Sequence, residues 1–307
     1  MNKQSLLILF LATSLSFYSS AQTTGDYRSN AATFNWDAAA SWQRWDGAAW
    51  ADPTVGGFGY PGENATGIAG TVTIQNGHTV TANVDVTVND IGSLVINGTL
   101  VENASNVDMD MTGDLTIVGT FDINGDNCTF DVGGGLSISG NGVLNMDDND
   151  IRLGVLGSAT IIGNGVFNLT DDDAIVTIGG SLSLQNAAIL NLASGGDDQD
   201  ITVTGNLTMD ATSQIQGNDA QGTIQINGTF TIPASATNAR IGGVTLTVNG
   251  ATTVPGTVTF NSNNGVKTFK GSVTVSGSWT STAITSNNGL IFGGEIMTSG
   301  TFACGCN

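Results

Sequence analysis

One short motif recurs along most of this chain, at a spacing that restricts the folds open to it. The motif is a glycine followed by alternating polar and apolar residues, often continued by a second glycine and two more apolar positions. Neighbouring copies are 21 to 25 residues apart and begin at Gly92, Gly113, Gly135, Gly157, Gly180 and Gly205. Alternation with a period of two predicts β-strands. Strands repeated at a nearly constant interval predict a solenoid.

The residue types within the motif favour one kind of solenoid. Val, Ile and Thr dominate, which favours strands over helical repeats, and the fixed leucine and asparagine positions of leucine-rich repeats are missing. We therefore predict an all-β chain, a right-handed parallel β-helix of about ten coils, with the handedness assigned by precedent. An antiparallel sandwich also has short alternating strands, but it does not explain a nearly constant repeat. The glycine in the middle of the motif is expected to have a positive φ in a bend.

The N-terminal residues have the pattern of a secretory signal peptide. Lys3 precedes an apolar run at 6–17, which is too short to span a bilayer, and small residues precede Gln22. We therefore expect a secreted protein, outside the cell or on its outer surface, and no membrane span. The predicted division is a signal peptide at 1–21, an N-terminal capping segment at 22–69, a β-helix at 70–302 and a cysteine-containing tail at 303–307.

The chain is strongly acidic. Lys and Arg number 7 and Asp and Glu number 26, which gives a formal net charge of −19. Nucleic-acid binding needs clustered cations to displace counterions, and the sequence contains no such cluster. We therefore predict no nucleic-acid partner.

Four of the five tryptophans lie within residues 34–50. We predict that this segment covers the first coil, because the end of a solenoid exposes strand edges and an apolar interior. The alternative is a glycan-binding module, in which aromatic rings stack on the apolar faces of sugars. Its candidate ligand-binding residues are Trp36, Trp42, Arg44, Trp45 and Trp50.

Acidic residues recur about once per coil and are predicted to form a ridge at one corner. Carboxylates about 4.8 Å apart repel each other by roughly 1 kcal/mol in water, which favours a bound divalent cation. Calcium, which takes oxygen ligands, is therefore the one cofactor candidate. The glycine-rich nonapeptide of calcium-binding β-rolls is missing, so a solvated ridge is the alternative. The candidate ligands are Asp147, Asp148, Asp150, Asp171, Asp172, Asp173, Asp197, Asp198 and Asp200.

The cysteines and the C-terminal residues suggest contacts with other molecules. Cys128 lies in an alternating segment and is predicted to be a core residue, whereas Cys304 and Cys306 are candidates for a crosslink to a neighbour in an oxidising compartment. No capping segment is recognisable after Gly289. Self-association through the solenoid ends, head to tail, is therefore a further hypothesis.

Candidate catalytic groups are few. A polysaccharide lyase needs a Lys or Arg base beside a carboxylate or a metal, and most glycoside hydrolases need paired carboxylates. Lys267 and Lys270 have no acidic neighbour in the sequence, and the single histidine, His78, follows an Asn-Gly pair typical of a turn. We predict that the chain is not an enzyme. A pectin-lyase-like carbohydrate-active enzyme is the alternative, since many parallel β-helices have such activities.

Residues 27–101 combine a Tyr27-Arg28-Ser29 opening, spaced tryptophans at Trp36, Trp42 and Trp45, and a strand at 74–81 that contains His78. This region resembles secreted, glycine-rich β-helical surface proteins of the Bacteroidetes phylum. The resemblance implies export and an adhesin-like role without catalytic residues. The β-sandwich sorting domain that often ends such proteins is not recognisable before Asn307. We predict a non-catalytic structural or adhesin-like rod. Its expected partner is a surface glycan, a protein, or another copy of the chain.

Overall fold

The computed structural model describes residues 22–63, 69–170, 173–192, 199–217, 222–260, 265–284 and 289–306. The predicted signal peptide lies outside these residues. The described chain is nearly all β, with two short 3-10 turns at Ala39–Ser41 and Pro53–Gly56. Its strands stack in parallel as a β-solenoid of about nine turns, which confirms the predicted fold class. None of the helical segments in the described ranges is long and apolar enough to cross a membrane.

The strands are short, and most contain three to five residues. In chain order they are β1 (Tyr27–Ser29), β2 (Thr33–Asn35), β3 (Trp42–Trp45), β4 (Trp50–Ala51), β5 (Ala69–Ile74), β6 (Thr79–Ala82), β7 (Val86–Ile96), β8 (Thr99–Glu102), β9 (Met109–Met111), β10 (Leu115–Ile117), β11 (Thr120–Ile123), β12 (Thr129–Val132), β13 (Leu136–Ile138), β14 (Val143–Met146), β15 (Arg152–Val155), β16 (Ala159–Gly163), β17 (Val166–Leu169), β18 (Ile175–Ile178), β19 (Leu182–Asn186), β20 (Ile189–Leu192), β21 (Asp200–Val203), β22 (Leu207–Met209), β23 (Gln214–Gly217), β24 (Thr223–Ile226), β25 (Phe230–Thr231), β26 (Ala239–Ile241), β27 (Thr245–Val248), β28 (Thr252–Val254), β29 (Thr257–Phe260), β30 (Lys267–Phe269), β31 (Val273–Val275), β32 (Ser278–Ile284), β33 (Leu290–Phe292), β34 (Ile296–Thr298) and β35 (Thr301–Cys306).

Each turn of the solenoid contributes one strand to each of three faces. From β9 onward the described strands form nine successive sets of three. Face 1 contains every third strand from β9 to β33, face 2 every third strand from β10 to β34, and face 3 every third strand from β11 to β35. Each strand pairs in parallel with the same face of the next turn, so that Leu136 of β13 lies between Leu115 and Ala159. Equivalent residues therefore stack in rows along the rod.

Inward residues form a continuous apolar core. On face 2 one such row is almost fully buried and consists of Leu94, Leu115, Leu136, Ala159, Leu182, Leu207 and Phe230. Burial of each large aliphatic side chain contributes about 1.5 to 3 kcal/mol. The strict alternation of buried and partly exposed residues explains why the period-two pattern was readable from the sequence.

The glycines between faces 1 and 2 form a column in which the backbones of successive turns lie close together. The N–H of Gly157 donates to the carbonyl of Gly134 at 2.8 Å, and the N–H of Gly180 donates to that of Gly157 at 2.7 Å. A Cβ on Gly157 would lie 2.6 Å from the Gly134 oxygen. In the middle of the motif, a Cβ on Gly119 would lie 2.7 Å from the Asn97 oxygen, and the φ of Gly119 is not positive. The predicted positive φ was therefore wrong there, because it is close packing of the backbone that requires glycine.

Polar side chains on face 3 bond from one turn to the next. The amide of Asn145 donates to Asp122 at 2.6 Å, Asn168 donates to Asn145 at 2.7 Å, and Asn191 donates to Asn168 at 3.1 Å. An amide can both donate and accept, so identical residues stacked in register satisfy each other. This ladder joins four consecutive turns on the outer surface.

A second set of side-chain bonds runs along the corner between faces 1 and 2. The Ser158 hydroxyl accepts the N–H of Ser181, Ser181 accepts that of Asn206, and the Asn206 side chain accepts that of Thr229. These bonds satisfy corner N–H groups that the strands leave unpaired. Beside them, face 2 presents an outward hydroxyl row of Thr116, Ser137, Thr160, Ser183, Thr208, Thr231, Thr253 and Thr274.

The N-terminal segment at 22–69 contributes strands to the solenoid itself. Strand β1 pairs in parallel with β5, where Tyr27 lies beside Val72, and β2 pairs with β6, where Phe34 lies beside Val80. The other edge of β1 pairs antiparallel with β3, which continues to β4. The segment predicted as a cap thus supplies two strands of the solenoid, and the β3–β4 hairpin extends the sheet beyond β1; its capping role stays a prediction.

Candidate binding surfaces

Trp36 and Trp42 belong to the core at the N-terminal end of the rod. Both side chains are fully buried, with ring centroids 5.0 Å apart in an edge-to-face arrangement. The indole N–H of Trp42 donates to the Trp36 carbonyl at 2.8 Å, and that of Trp36 donates to the Pro61 carbonyl at 2.9 Å. Packing and hydrogen bonding therefore occupy both rings, which leaves them no surface for a ligand.

Trp45 and Trp50 face each other across the β3–β4 hairpin and are partly exposed. Their ring centroids are 5.5 Å apart, and the Arg28 guanidinium lies 4.4 Å from the Trp50 centroid. The Arg44 guanidinium lies 3.7 Å from the ring of Phe58, in a cleft of about 190 Å³. Cation–π contacts of this kind hold both arginines in place. Of the predicted ligand-binding residues, Arg44, Trp45 and Trp50 are those that a ligand could reach.

Among the described acidic candidates, Asp147, Asp148, Asp150 and Asp173 lie between a strand of face 3 and the next strand of face 1, and Asp200 begins β21. Asp150 and Asp173 have φ angles of 58° and 63°, and Asn106 and Asn127 occupy the equivalent positions with φ of 62° and 56°. The left-handed region is strained for most residues but is tolerated by Asn and Asp. Backbone geometry therefore gives a reason for an acidic or amide residue at this position in four successive turns.

The other described candidates for calcium each have a local partner. Asp147 accepts a hydrogen bond from the Thr170 hydroxyl, and Asp200 accepts one from the Thr223 hydroxyl. Burial and the neighbouring Asp126 carboxylate raise the pKa of Asp148. Across the described ranges, no three His, Cys, Asp or Glu side chains converge on a point where a metal ion could bind. The candidates outside the described residues are Asp171, Asp172, Asp197 and Asp198, and calcium binding stays a prediction.

His78 lies at a turn between β5 and β6. The backbone N–H of His78 donates to the Gln75 carbonyl at 3.0 Å, and the ring Nδ1 lies 2.8 Å from the hydroxyl oxygen of Ser29. The same buried Ser29 oxygen accepts the N–H of Gln75 at 2.9 Å. These bonds fasten β1 to the next turn of the solenoid.

Glu102 and Cys128 form a buried polar pair. The Glu102 carboxylate accepts the N–H of Gly125 at 3.0 Å, the N–H of Ala104, and the thiol of Cys128 at 3.3 Å. Burial raises the pKa of Glu102 and raises the pKa of the Cys128 thiol to about 12. The predicted core position of Cys128 is confirmed. A thiol with so high a pKa is a poor nucleophile at neutral pH.

Lys267, one of the two lysines considered as a catalytic base, is an inward residue of β30 that is 3% exposed. Its ammonium donates to the Gly265 carbonyl at 2.8 Å. Burial lowers the pKa of Lys267 to about 8, because the charged form is poorly solvated there. A substrate has little access to this side chain.

In the last described turn, two outward positions hold exposed apolar side chains. Ile291 is 51% exposed and Met297 is 45% exposed. Cys304 and Cys306 belong to β35, where the backbone of Cys304 pairs with that of Ser281. The crosslink and the self-association through this end stay predictions.

A groove of about 630 Å³ on face 1 was not anticipated from the sequence. It lies where Gly154 replaces the outward side chains found at Asp131 and Thr177 in the neighbouring turns. Beside it Leu156 is 74% exposed. The available signal was a glycine within a predicted strand, which often marks the close approach of another group.

Comparison of the chain with family models, with curated proteins and with solved structures finds no match.

Proposed function

We propose that this chain is an exported, non-catalytic surface protein that serves as a rigid acidic spacer with an adhesive role. The supporting observation is the repetition of one three-faced turn from β9 to β35, with polar ladders joining successive turns on the outside. About nine turns at about 4.8 Å each extend roughly 43 Å. A long, straight object of constant cross-section suits the separation of a binding site from a cell surface.

The charge distribution supports the same role. Net negative charge keeps neighbouring rods apart and soluble, and the outward hydroxyl row on face 2 has no charged member along eight turns. The side chains that contact each other between turns on this face are therefore short, uncharged and stacked in register. Such contacts keep a solenoid straight because each turn packs only on its neighbours.

The spacer role can be tested by changing the number of turns. Residues 230–251 form one turn, because Phe230 pairs with Thr252 of the next turn. The chain would be displayed on cells with this turn deleted, unchanged or duplicated, at equal surface levels measured with an antibody. A spacer predicts that cell attachment increases or decreases steadily with length. Equal attachment by all three forms would contradict the proposal.

A second candidate function is glycan binding by the β3–β4 hairpin, supported by the partly exposed Trp45–Trp50 pair. A glycan array, with and without calcium, would be probed with the unchanged protein and with Trp45→Ala. Loss of binding with an unchanged circular dichroism spectrum would support this function. Equal binding by both proteins would mean that the hairpin is not the glycan-binding site.

A further inference from the structure

The groove on face 1 lies outside every surface predicted from the sequence. It extends over four turns, from β9 to β18, and its floor is exposed backbone at Gly133, Gly154 and Gly179. The strand register explains this floor. Leu156 lies between Gly133 and Gly179 of the adjacent turns, so its side chain stands alone in the groove.

One wall of the groove is anionic. Asp110 and Asp131 are adjacent outward residues in the same row. The Asp131 carboxylate leans over Gly154, with an oxygen 2.5 Å from the place where a Cβ would be. Paired strands lie about 4.8 Å apart, so a cation placed between the two side chains is attracted to both charges.

The chemistry of the lining excludes several kinds of ligand. The lining residues, all of them described, are Asp, Thr, Gly, Val, Met and Leu, with no aromatic ring, amide or cationic group. A neutral sugar is usually held by a stacking ring and by several donors. Strand addition is also excluded, because the strands that form the floor are paired on both edges. The groove therefore offers a ligand an apolar contact beside a negative charge.

We propose that this groove binds a basic segment of a partner protein, whose Lys or Arg stem packs on Leu156 while its cation lies between Asp110 and Asp131. Long basic side chains are suited to this, since they cover apolar surface with their methylene groups and keep the charged end on polar groups. The site does not depend on the spacer role, because it occupies only four turns. It gives the rod a binding surface of defined chemistry.

The test is fluorescence polarisation with an acetylated, fluorescein-labelled Lys-Leu-Lys-Leu peptide and the purified full chain. Gly154→Thr fills the groove with the residue found at this position in the next turn, and its Cβ meets only the movable Asp131 carboxylate. We expect saturable binding by the unchanged protein. Gly154→Thr, Leu156→Ser and Asp131→Asn should each weaken binding at least tenfold.

The matched control is Asp150→Asn, which removes the same charge at a turn whose φ of 58° suits asparagine. It should bind as tightly as the unchanged protein. Equal weakening by Asp150→Asn and Asp131→Asn would mean that only the net charge attracts the peptide, and would overturn the site. Unweakened binding by Gly154→Thr, or no binding by the unchanged protein, would also overturn it.

Discussion

Replacing Gly157 by alanine should destabilise the rod by opening the contact between two turns. The added Cβ would lie 2.6 Å from the Gly134 oxygen and 2.9 Å from its carbonyl carbon. An ordinary contact needs about 3.4 Å, so the backbones must separate by roughly 0.8 Å at this point. The N–H of Gly157 and the N–H of Gly180 each bond along the same column and would be stretched.

The magnitude follows from these contacts. Overpacking costs about 1 to 3 kcal/mol, and each weakened hydrogen bond costs about 1 kcal/mol. We therefore expect a loss of about 3 to 5 kcal/mol in the free energy of unfolding. The measurement is urea denaturation followed by circular dichroism, with the slope compared between variants because repeat arrays can unfold in parts.

Two control substitutions separate the possible causes. A Cβ on Gly289 meets nothing within 4 Å and its φ is not positive, so Gly289→Ala should be neutral or slightly stabilising. Gly77 also has open space but a φ of 78°, so Gly77→Ala measures the cost of the left-handed region alone, about 1 to 2 kcal/mol. If Gly157→Ala costs no more than Gly77→Ala, close backbone packing is not the reason for the glycine column.

Three further predictions concern the N-terminal core and two buried ionisable groups. Trp42→Ala should cost about 3 to 5 kcal/mol because the ring is fully buried, whereas Trp45→Ala should cost much less; the melting temperatures of both variants check this. The raised pKa of Glu102 means that the folded state keeps its proton to higher pH. Stability should therefore fall as pH rises from the usual glutamate range through the raised pKa, and denaturant midpoints should lose this dependence in Glu102→Gln. The pKa of Lys267 is lowered to about 8, so the folded state releases its proton first, and stability should rise between about pH 8 and 10.5. Lys267→Met should remove that rise, which a midpoint series in denaturant at several pH values would show.

The fold was predictable because a parallel solenoid has two periodicities that appear in the sequence, the length of one turn and the two-residue period of a strand. Inward residues such as Leu94, Leu115 and Leu136 recur at the turn length, and the alternation within each strand separates core from surface. These two periodicities are local, so one sequence is enough to read them. The first turn was harder, since β1 and β2 lack the glycine motif and join the solenoid through pairing with β5 and β6.

The candidate sites were less predictable, because residue type alone does not separate a binding role from a structural one. The tryptophan cluster contains two fully buried rings and two partly exposed ones, a difference that depends on the fold of residues 36–61. Asp150 and Asp173 were proposed as metal ligands, yet their positive φ gives them a role in the turn that asparagine fills elsewhere. The competing principle was turn chemistry, which favours the same residues as calcium does.

The groove was not predictable from the sequence, because it is formed by the absence of a side chain at Gly154. Gly154 interrupts an outward row that holds Asp131 on one side and Thr177 on the other. In the sequence it is one glycine among 43. Close packing of the backbone explains most of the other described glycines. A Cβ on Gly154 would meet only the carboxylate of Asp131, whereas a Cβ on Gly157 would meet backbone. Gly154 therefore opens the groove without being required by backbone packing, and this difference exists only once the turns are stacked.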